Sequence, residues 1–319
     1  MRLRIIYESA RLALLSKGIR PGIVNLSEDA VVPFVSFLDG RPRLARRRPV
    51  DAEEEGPLVV FVHGLGSSVV TWAAALPAVA RRVPALAVDL PGYGRTPLPE
   101  GRSHLGLLEK VEVLERFIEA IAPERKVHLV GQSMGGWVSA WVAARRPDKV
   151  TRLTLVNPAG VFTPQVFEQR RLFTPRDKRE TRVLWQRMWH RLPRSFPFFA
   201  GDYWRLTRTP EVRGFIDSVG EEDFLNEALA KITAPTLVVW GLSDTFLDFE
   251  TVRLLQNGVP DVRVRLLPDC GHVPQREDPR RFLSLVLPWL EGREPPETER
   301  PGVRLTGPAG PSSAGAHDA

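Results

Sequence analysis

A single cysteine, Cys270, stands among 319 residues. No disulfide can close within the chain, so nothing staples the fold, and a reducing compartment suits it. Long apolar runs are also missing. Nothing approaches the ~18 apolar residues of a membrane span, and the longest candidate near the C-terminus, Phe282 to Leu290, is too short. The first residues open like a secretion signal, with Arg2 and Arg4 ahead of apolar positions. Glu8, Arg11 and Lys17 then interrupt the run, and no A-x-A-like cleavage site follows. Motifs of nucleic-acid-binding modules are absent as well, so nucleic acid is not an expected partner.

What is present is an ordinary globular composition, 43% apolar and 26% charged. The length fits one large α/β domain with an insertion, or two small domains. The net charge is +6, carried mostly by arginine. A solvated, Arg-rich surface accounts for that charge, and so does attraction to an anionic lipid surface. Residues 1–19 read as a basic amphipathic helix in which Ile5, Ile6, Leu12, Leu15 and Ile19 share a face. Such a helix lies on a membrane or, more commonly, packs on the protein's own body. The expected location is cytoplasmic, with peripheral contact to the inner membrane face as the sharper alternative.

Residues 1–56 hold this helix, a β-rich piece from Val31 to Leu38, and a stretch in which Arg41, Arg43 and Arg46 to Arg48 precede Asp51 and Glu53 to Glu55. Opposite charge blocks so close together predict an exposed hairpin loop. From Pro57 the pattern becomes regular. Apolar runs at Leu58–Val62, Ala85–Val88, Val127–Val130 and Leu153–Val156 predict buried strands. Helical patterns at Thr71–Arg82, Leu105–Ala122 and Met134–Arg145 lie between them. This alternation implies right-handed βαβ units and a mostly parallel sheet. It stops over residues 161–234, a segment rich in Arg, Trp and Phe that reads as an inserted helical cap. It resumes over 235–291, with strands at Thr236–Trp240 and Val262–Leu267 and helices at Phe249–Asn257 and Pro279–Leu290. Residues 292–319 are Pro-, Gly- and Ser-rich and cannot bury a core.

The most informative stretch is Gly131-Gln132-Ser133-Met134-Gly135, which follows one of these strands and opens a helix. G-x-S-x-G alone is a weak signal. Between a strand and a helix it describes a sharp turn that holds a serine out at the top of a sheet. A serine hydroxyl needs a base, and histidine suits that task when a carboxylate fixes its tautomer. Asp244 and His272 each fall just after a later strand, at the sheet edge where ligands gather in open α/β sheets. Ser133, Asp244 and His272 are therefore the candidate nucleophile, acid and base. Asp248 is a rival acid, and Asp269 approaches from the wrong strand. His63 precedes the serine, and His128 lies within a strand, where a structural role is expected. His104 and His190 fall in loop or cap regions and His317 in the tail. Glycines in His63-Gly64-Leu65-Gly66 let a backbone amide face a developing oxyanion. Cys270 reads as a buried structural thiol.

These residues resemble the α/β-hydrolase superfamily over roughly Pro57 to Leu290. The resemblance rests on His63-Gly64-Leu65-Gly66, Asp89-Leu90-Pro91-Gly92-Tyr93-Gly94, Gly131-Gln132-Ser133-Met134-Gly135-Gly136 and Gly271-His272. Asn157-Pro158-Ala159-Gly160, Trp240-Gly241-Leu242-Ser243-Asp244 and Leu267-Pro268-Asp269-Cys270-Gly271-His272 resemble more narrowly the bacterial lipases of the monoacylglycerol-lipase-like group. The likeness implies an α/β fold with a mostly parallel, eight-stranded-type sheet flanked by helices, and a helical cap. It also implies a serine esterase acting on esters with apolar acyl chains, without cofactor or metal. In that architecture the amides of Leu65 and Met134 would form the oxyanion hole. The cap is divergent, so acyl preference does not carry over. Carbon–carbon hydrolases of aromatic ring cleavage keep a similar serine motif, but usually follow the histidine with tryptophan, whereas Val273 stands here. A non-catalytic binding protein on the same fold is the alternative from a different class.

Overall fold

The computed structural model describes residues 2–26, 30–32, 34–40 and 56–298. The expected hairpin loop of mixed charge and most of the Pro-rich tail lie outside the described residues. Among the described residues eight strands form: β1 (Arg20–Asn25), β2 (Phe34–Asp39), β3 (Leu58–Val62), β4 (Ala85–Val88), β5 (Val127–Gln132), β6 (Val150–Val156), β7 (Thr236–Gly241) and β8 (Val262–Leu267). They build one sheet in the order β1-β2-β4-β3-β5-β6-β7-β8. The pairs β1–β2 and β2–β4 are antiparallel. The remaining neighbours run parallel, as the strand–helix alternation implies.

The helices before the cap are α1 (Arg2–Ser16), α2 (Ala75–Ala80), α3 (Leu107–Ile121) and α4 (Met134–Arg145). Between β6 and β7 come α5 (Val166–Leu172), α6 (Lys178–Met188), α7 (Phe196–Leu206) and α8 (Pro210–Ser218). The chain closes with α9 (Glu250–Gly258), α10 (Pro274–Glu277) and α11 (Pro279–Leu290). Among the described residues no helix is long and apolar enough to cross a membrane.

Strands β3, β5 and β7 are buried along their whole length, which is why they read as continuous apolar runs. Successive side chains feed two separate cores. Val60, Leu129 and Leu153 face α3 and α4, meeting Val111, Leu114, Phe117 and Val138. Val59, Phe61, Val130 and Leu237 face the other way, toward Leu76 of α2 and Phe282 and Trp289 of α11. In α3 the buried Leu107, Val111, Leu114 and Ile118 recur at helical spacing. The Glu109 carboxylate accepts the Gly106 N–H at 2.8 Å and caps that helix.

Register brings the functional ends of the strands level. Val62 pairs with Gly131, Gln132 with Val156, Val156 with Val239, and Gly241 with Leu267. The chain leaves β3 for β4 on one side and returns to β5 on the other, so the order reverses at β3 and β5. Crevices at such reversals are where open α/β sheets bind ligands.

Three local readings are corrected. The helix expected over Thr71–Arg82 is broken into a 3-10 turn at Val69–Trp72 and then α2. Pro77 has no N–H to give, and the restart puts it in the first turn of α2, where none is needed. Strand β1 went unread because Pro21 and Gly22 look like a turn; on a sheet edge both are tolerated. Helix α1 forms, but Leu12 and Leu15 do not share a face with Ile19. Arg11, Leu14 and Ile19 are buried, whereas Leu12 is 63% exposed. Arg11 points inward to the carboxylate of Asp89, 4.0 Å away.

Phe282 is fully buried and its ring lies 6.3 Å from that of Trp72, which in turn lies 4.9 Å from Phe61. Phe282→Ala is expected to lower unfolding free energy by about 3–5 kcal/mol. Val183→Ala, at an exposed cap position, should stay within about 0.5 kcal/mol. Urea denaturation of the two variants checks the contrast.

Candidate active site

Ser133 sits between β5 and α4 with φ 53° and ψ −121°, a left-handed backbone uncommon for any residue but glycine. Neighbours hold it there. Its N–H donates to Val156 O at 3.1 Å, and its carbonyl accepts from Trp137 N at 3.1 Å and Ala159 N at 3.2 Å. The turn demands Gly135, because a Cβ there would collide with the carbonyl oxygens of Val62 and His63. The same packing presses the loop after β3 against the serine. A Cβ on Gly64 would lie 3.2 Å from Ser133 Cβ.

Asp244 and His272 meet across the strand ends. His272 Nδ1 lies 2.7 Å from Asp244 Oδ2, and both side chains are almost completely buried. The carboxylate is the acceptor, so the proton sits on Nδ1 and Nε2 keeps its lone pair. Asp244 Oδ1 also accepts from Phe246 N at 2.9 Å and Leu247 N at 3.1 Å. The ring of Phe246 meets the imidazole edge-on at 5.3 Å.

Two cavities meet at Ser133, sharing Leu65, Ser133 and Phe173. The larger, about 280 Å³, includes Met134, Trp137, Phe215, Phe224 and Phe246. The smaller, about 90 Å³, includes Gln132, His272, Trp185, Trp189, Tyr203 and Arg276. Leu65 thus borders both cavities beside the serine, and Met134 borders the larger. Met134 is also the first residue of α4, so its N–H has no partner within the helix.

The rival residues are engaged elsewhere. Asp248 Oδ1 accepts the N–H of Glu250 at the start of α9, 3.0 Å away. Asp269 lies 3.8 Å from His190 Nε2. His63 is buried, donates from Nδ1 to Gly64 O at 2.8 Å and accepts the Leu90 N–H on Nε2 at 3.0 Å. Burial lowers its pKa to about 4. His128 is equally buried, 3.0 Å from Thr154 Oγ1, and burial, then nearby Arg152, lowers it to about 3. His104 contacts Ser103, and His190 contacts Ser243. Cys270 is buried, and burial above all raises its thiol to about 11.

Three supporting residues escaped the sequence reading. Asn157, at φ 39°, donates from Nδ2 to Asp244 Oδ2 at 2.8 Å and accepts the Gly241 N–H at 3.0 Å. Glu277 accepts the N–H groups of Gly271 and His190, each at 2.8 Å. Gln132 donates to the carbonyl of His272 at 3.0 Å. Asn157 follows a strand directly and precedes a proline, the one local sign of a special position. The cap joins this frame. His272 N–H donates to Met188 O at 2.6 Å, and Thr245 N–H to Arg187 O at 2.9 Å.

The family described as the alpha/beta hydrolase fold matches residues 57–279. Monoacylglycerol lipase ABHD6 of Rattus norvegicus is 27% identical over 265 residues, spanning 76% of this chain and 78% of that protein. The crystal structure of a membrane phospholipase A, a bacterial virulence factor, aligns with TM-score 0.71 at 23% identity, covering 91% of this chain and 94% of the other. Carboxylesterase CesB from Bacillus subtilis aligns with TM-score 0.69 at 18% identity, covering 90% and 98%. At these identities the two structures bear on the fold alone.

The buried histidines make stability depend on pH. Both have lowered pKa values in the folded chain, so the unfolded chain binds their protons first as pH falls below about 6.5. Asp89 opposes them, since burial raises it to about 6. His128→Gln removes one of the two destabilising protonations. It is expected to lessen the loss of unfolding free energy by about 1.4 kcal/mol per pH unit between about pH 6 and 4. Urea unfolding of wild type and variant at a series of pH values measures this. Parallel profiles would contradict it.

Proposed function

The chain belongs to the α/β-hydrolase fold family, and on that premise we propose that it hydrolyses carboxylic esters with hydrophobic acyl chains, monoacylglycerols among them, through an acyl-enzyme. The carrying observation is the buried 2.7 Å pair of Asp244 and His272 beside a serine in a strained strand-to-helix turn. Further support comes from relatives named monoacylglycerol lipase and from the apolar lining of the larger cavity.

Ser133 Oγ attacks the ester carbonyl carbon while His272 Nε2 takes its proton. Asp244 holds the imidazole by Nδ1 and steadies the imidazolium. The amides of Leu65 and Met134 receive the oxyanion, and losing one such donor typically costs about 10²–10³ in turnover. The carbon–oxygen bond to the alcohol then breaks, and His272 returns the proton to the leaving oxygen. Water attacks the acyl-enzyme with His272 again as base. The bond to Ser133 Oγ breaks, the acid leaves and the serine is reprotonated.

Ser133→Ala is expected to reduce hydrolysis of p-nitrophenyl esters at least roughly 10⁴-fold with an unchanged urea midpoint. Fluorophosphonate labelling should vanish in the same variant. Retained turnover would sink the assignment of Ser133. Turnover of a ring-fission dienoate in place of the esters would favour the carbon–carbon hydrolase reading.

The same reading includes peripheral contact with an anionic membrane surface. Helices α1 and α7 pack together, Leu12 projects from one, and Phe198, 69% exposed, from the other. The net charge of +6 adds attraction to anionic lipid. Vesicles containing phosphatidylglycerol are expected to co-sediment the wild type, and the double variant Leu12→Glu, Phe198→Glu much less. Equal sedimentation rejects the contact.

A further inference from the structure

The two cavities beside Ser133 differ in which reacting group they own. His272 borders only the smaller and Met134 only the larger. In ester hydrolysis the base hands its proton to the departing alcohol, so the alcohol lies on the histidine's side. The acyl chain then takes the larger cavity, which has the room for it; both linings are mostly apolar. The smaller space, about 90 Å³ against about 280 Å³, takes a compact alcohol.

The two cavities also differ in how their arginines are satisfied. Arg170, in the larger, is 3.3 Å from the carboxylate of Asp217. Arg276, in the smaller, has no carboxylate partner among the described residues. Its neighbour Glu277 is already accepting the Gly271 and His190 amides. Arg276 stands four residues after His272, on α10, which brings its exposed side chain to the mouth of the same cavity. One ring contact holds it. The guanidinium carbon lies 5.6 Å from the ring centroid of Trp189, and Tyr203 lines the same cavity. The Tyr203 hydroxyl can donate to an acceptor in that cavity. A guanidinium fork and a hydroxyl donor lining one cavity match a phosphate, which offers several acceptor oxygens and full charge.

We propose that Arg276, with Tyr203, selects esters whose alcohol carries a phosphate, so that the preferred substrates are acyl glycerophosphates over neutral acylglycerols. The selection rests on the ester-hydrolase reading above. It acts on substrate positioning and leaves the chemistry at Ser133 unchanged.

The test compares a 1-acylglycerol and its 3-phosphate, with one acyl chain short enough to keep both monomeric, so that no lipid surface contributes. Wild type is expected to show a kcat/KM at least about tenfold higher on the phosphate ester, as fits a charge-assisted hydrogen bond. Arg276→Gln should raise KM for the phosphate ester about tenfold while keeping kcat on it, so that the preference over the neutral ester falls about tenfold. Arg276→Lys should recover part of the loss. Glycerol 3-phosphate should inhibit the wild type competitively and Arg276→Gln far less. A wild type without preference, or an unchanged preference in Arg276→Gln, overturns the proposal while fluorophosphonate labelling of Ser133 leaves the hydrolase reading standing. A folded wild type whose Ser133 is not labelled removes both.

Discussion

A carboxylate taken out of water must be met by donors, and the site is arranged around meeting one. Asp244 receives the amides of Phe246 and Leu247, the side-chain amide of Asn157 and the imidazole of His272. Leaving such a charge buried without partners would cost several kcal/mol. These donors come from the ends of three neighbouring strands. Register between β6, β7 and β8 is therefore tied to the acid's needs as firmly as to the apolar core. Asn157 makes the tie twice, because its other end accepts the Gly241 N–H at the tip of β7.

Much of this architecture was legible because burial on both faces leaves a plain mark. Leu58–Val62 and Thr236–Trp240 are apolar at nearly every position, and a strand between two helical layers has no reason to alternate. The serine turn was legible for a different reason, since close backbone approach excludes every residue but glycine at 135. Long-range polar matches left no such mark. Asn157 and Asp244 are 87 residues apart, and no periodicity announces that an amide at one will hold a carboxylate at the other. The outward face of α1 misled because an apolar stripe assumes that apolar groups turn inward. Here the buried carboxylate of Asp89 draws Arg11 in, and Leu12 is left outside.

The cap shows the same limit. Its aromatics could be counted in the sequence but not sorted. Trp185 stacks on Trp189 with ring centroids 5.4 Å apart and packs on Phe196 and Tyr203, so it fills the cap and walls the smaller cavity at once. Phe198, two residues beyond Phe196, faces solvent. Side chains two residues apart on a helix point to opposite sides, and only the docking of α6 against α7 decides which is which.

One end of that cap is bonded to the loops that carry Asp244 and His272. The backbone at residues 187–190 accepts the amides of Thr245 and His272 and donates to Glu277. Substrate entry by swinging this end away would strip support from the acid loop and the base loop together. The cap is therefore anchored on the side of the Asp244–His272 pair, through the backbone at residues 187–190. That end of the segment is a shared brace: two loops from separate strands lean on one stretch of cap backbone, so a change in any of the three is felt by the other two.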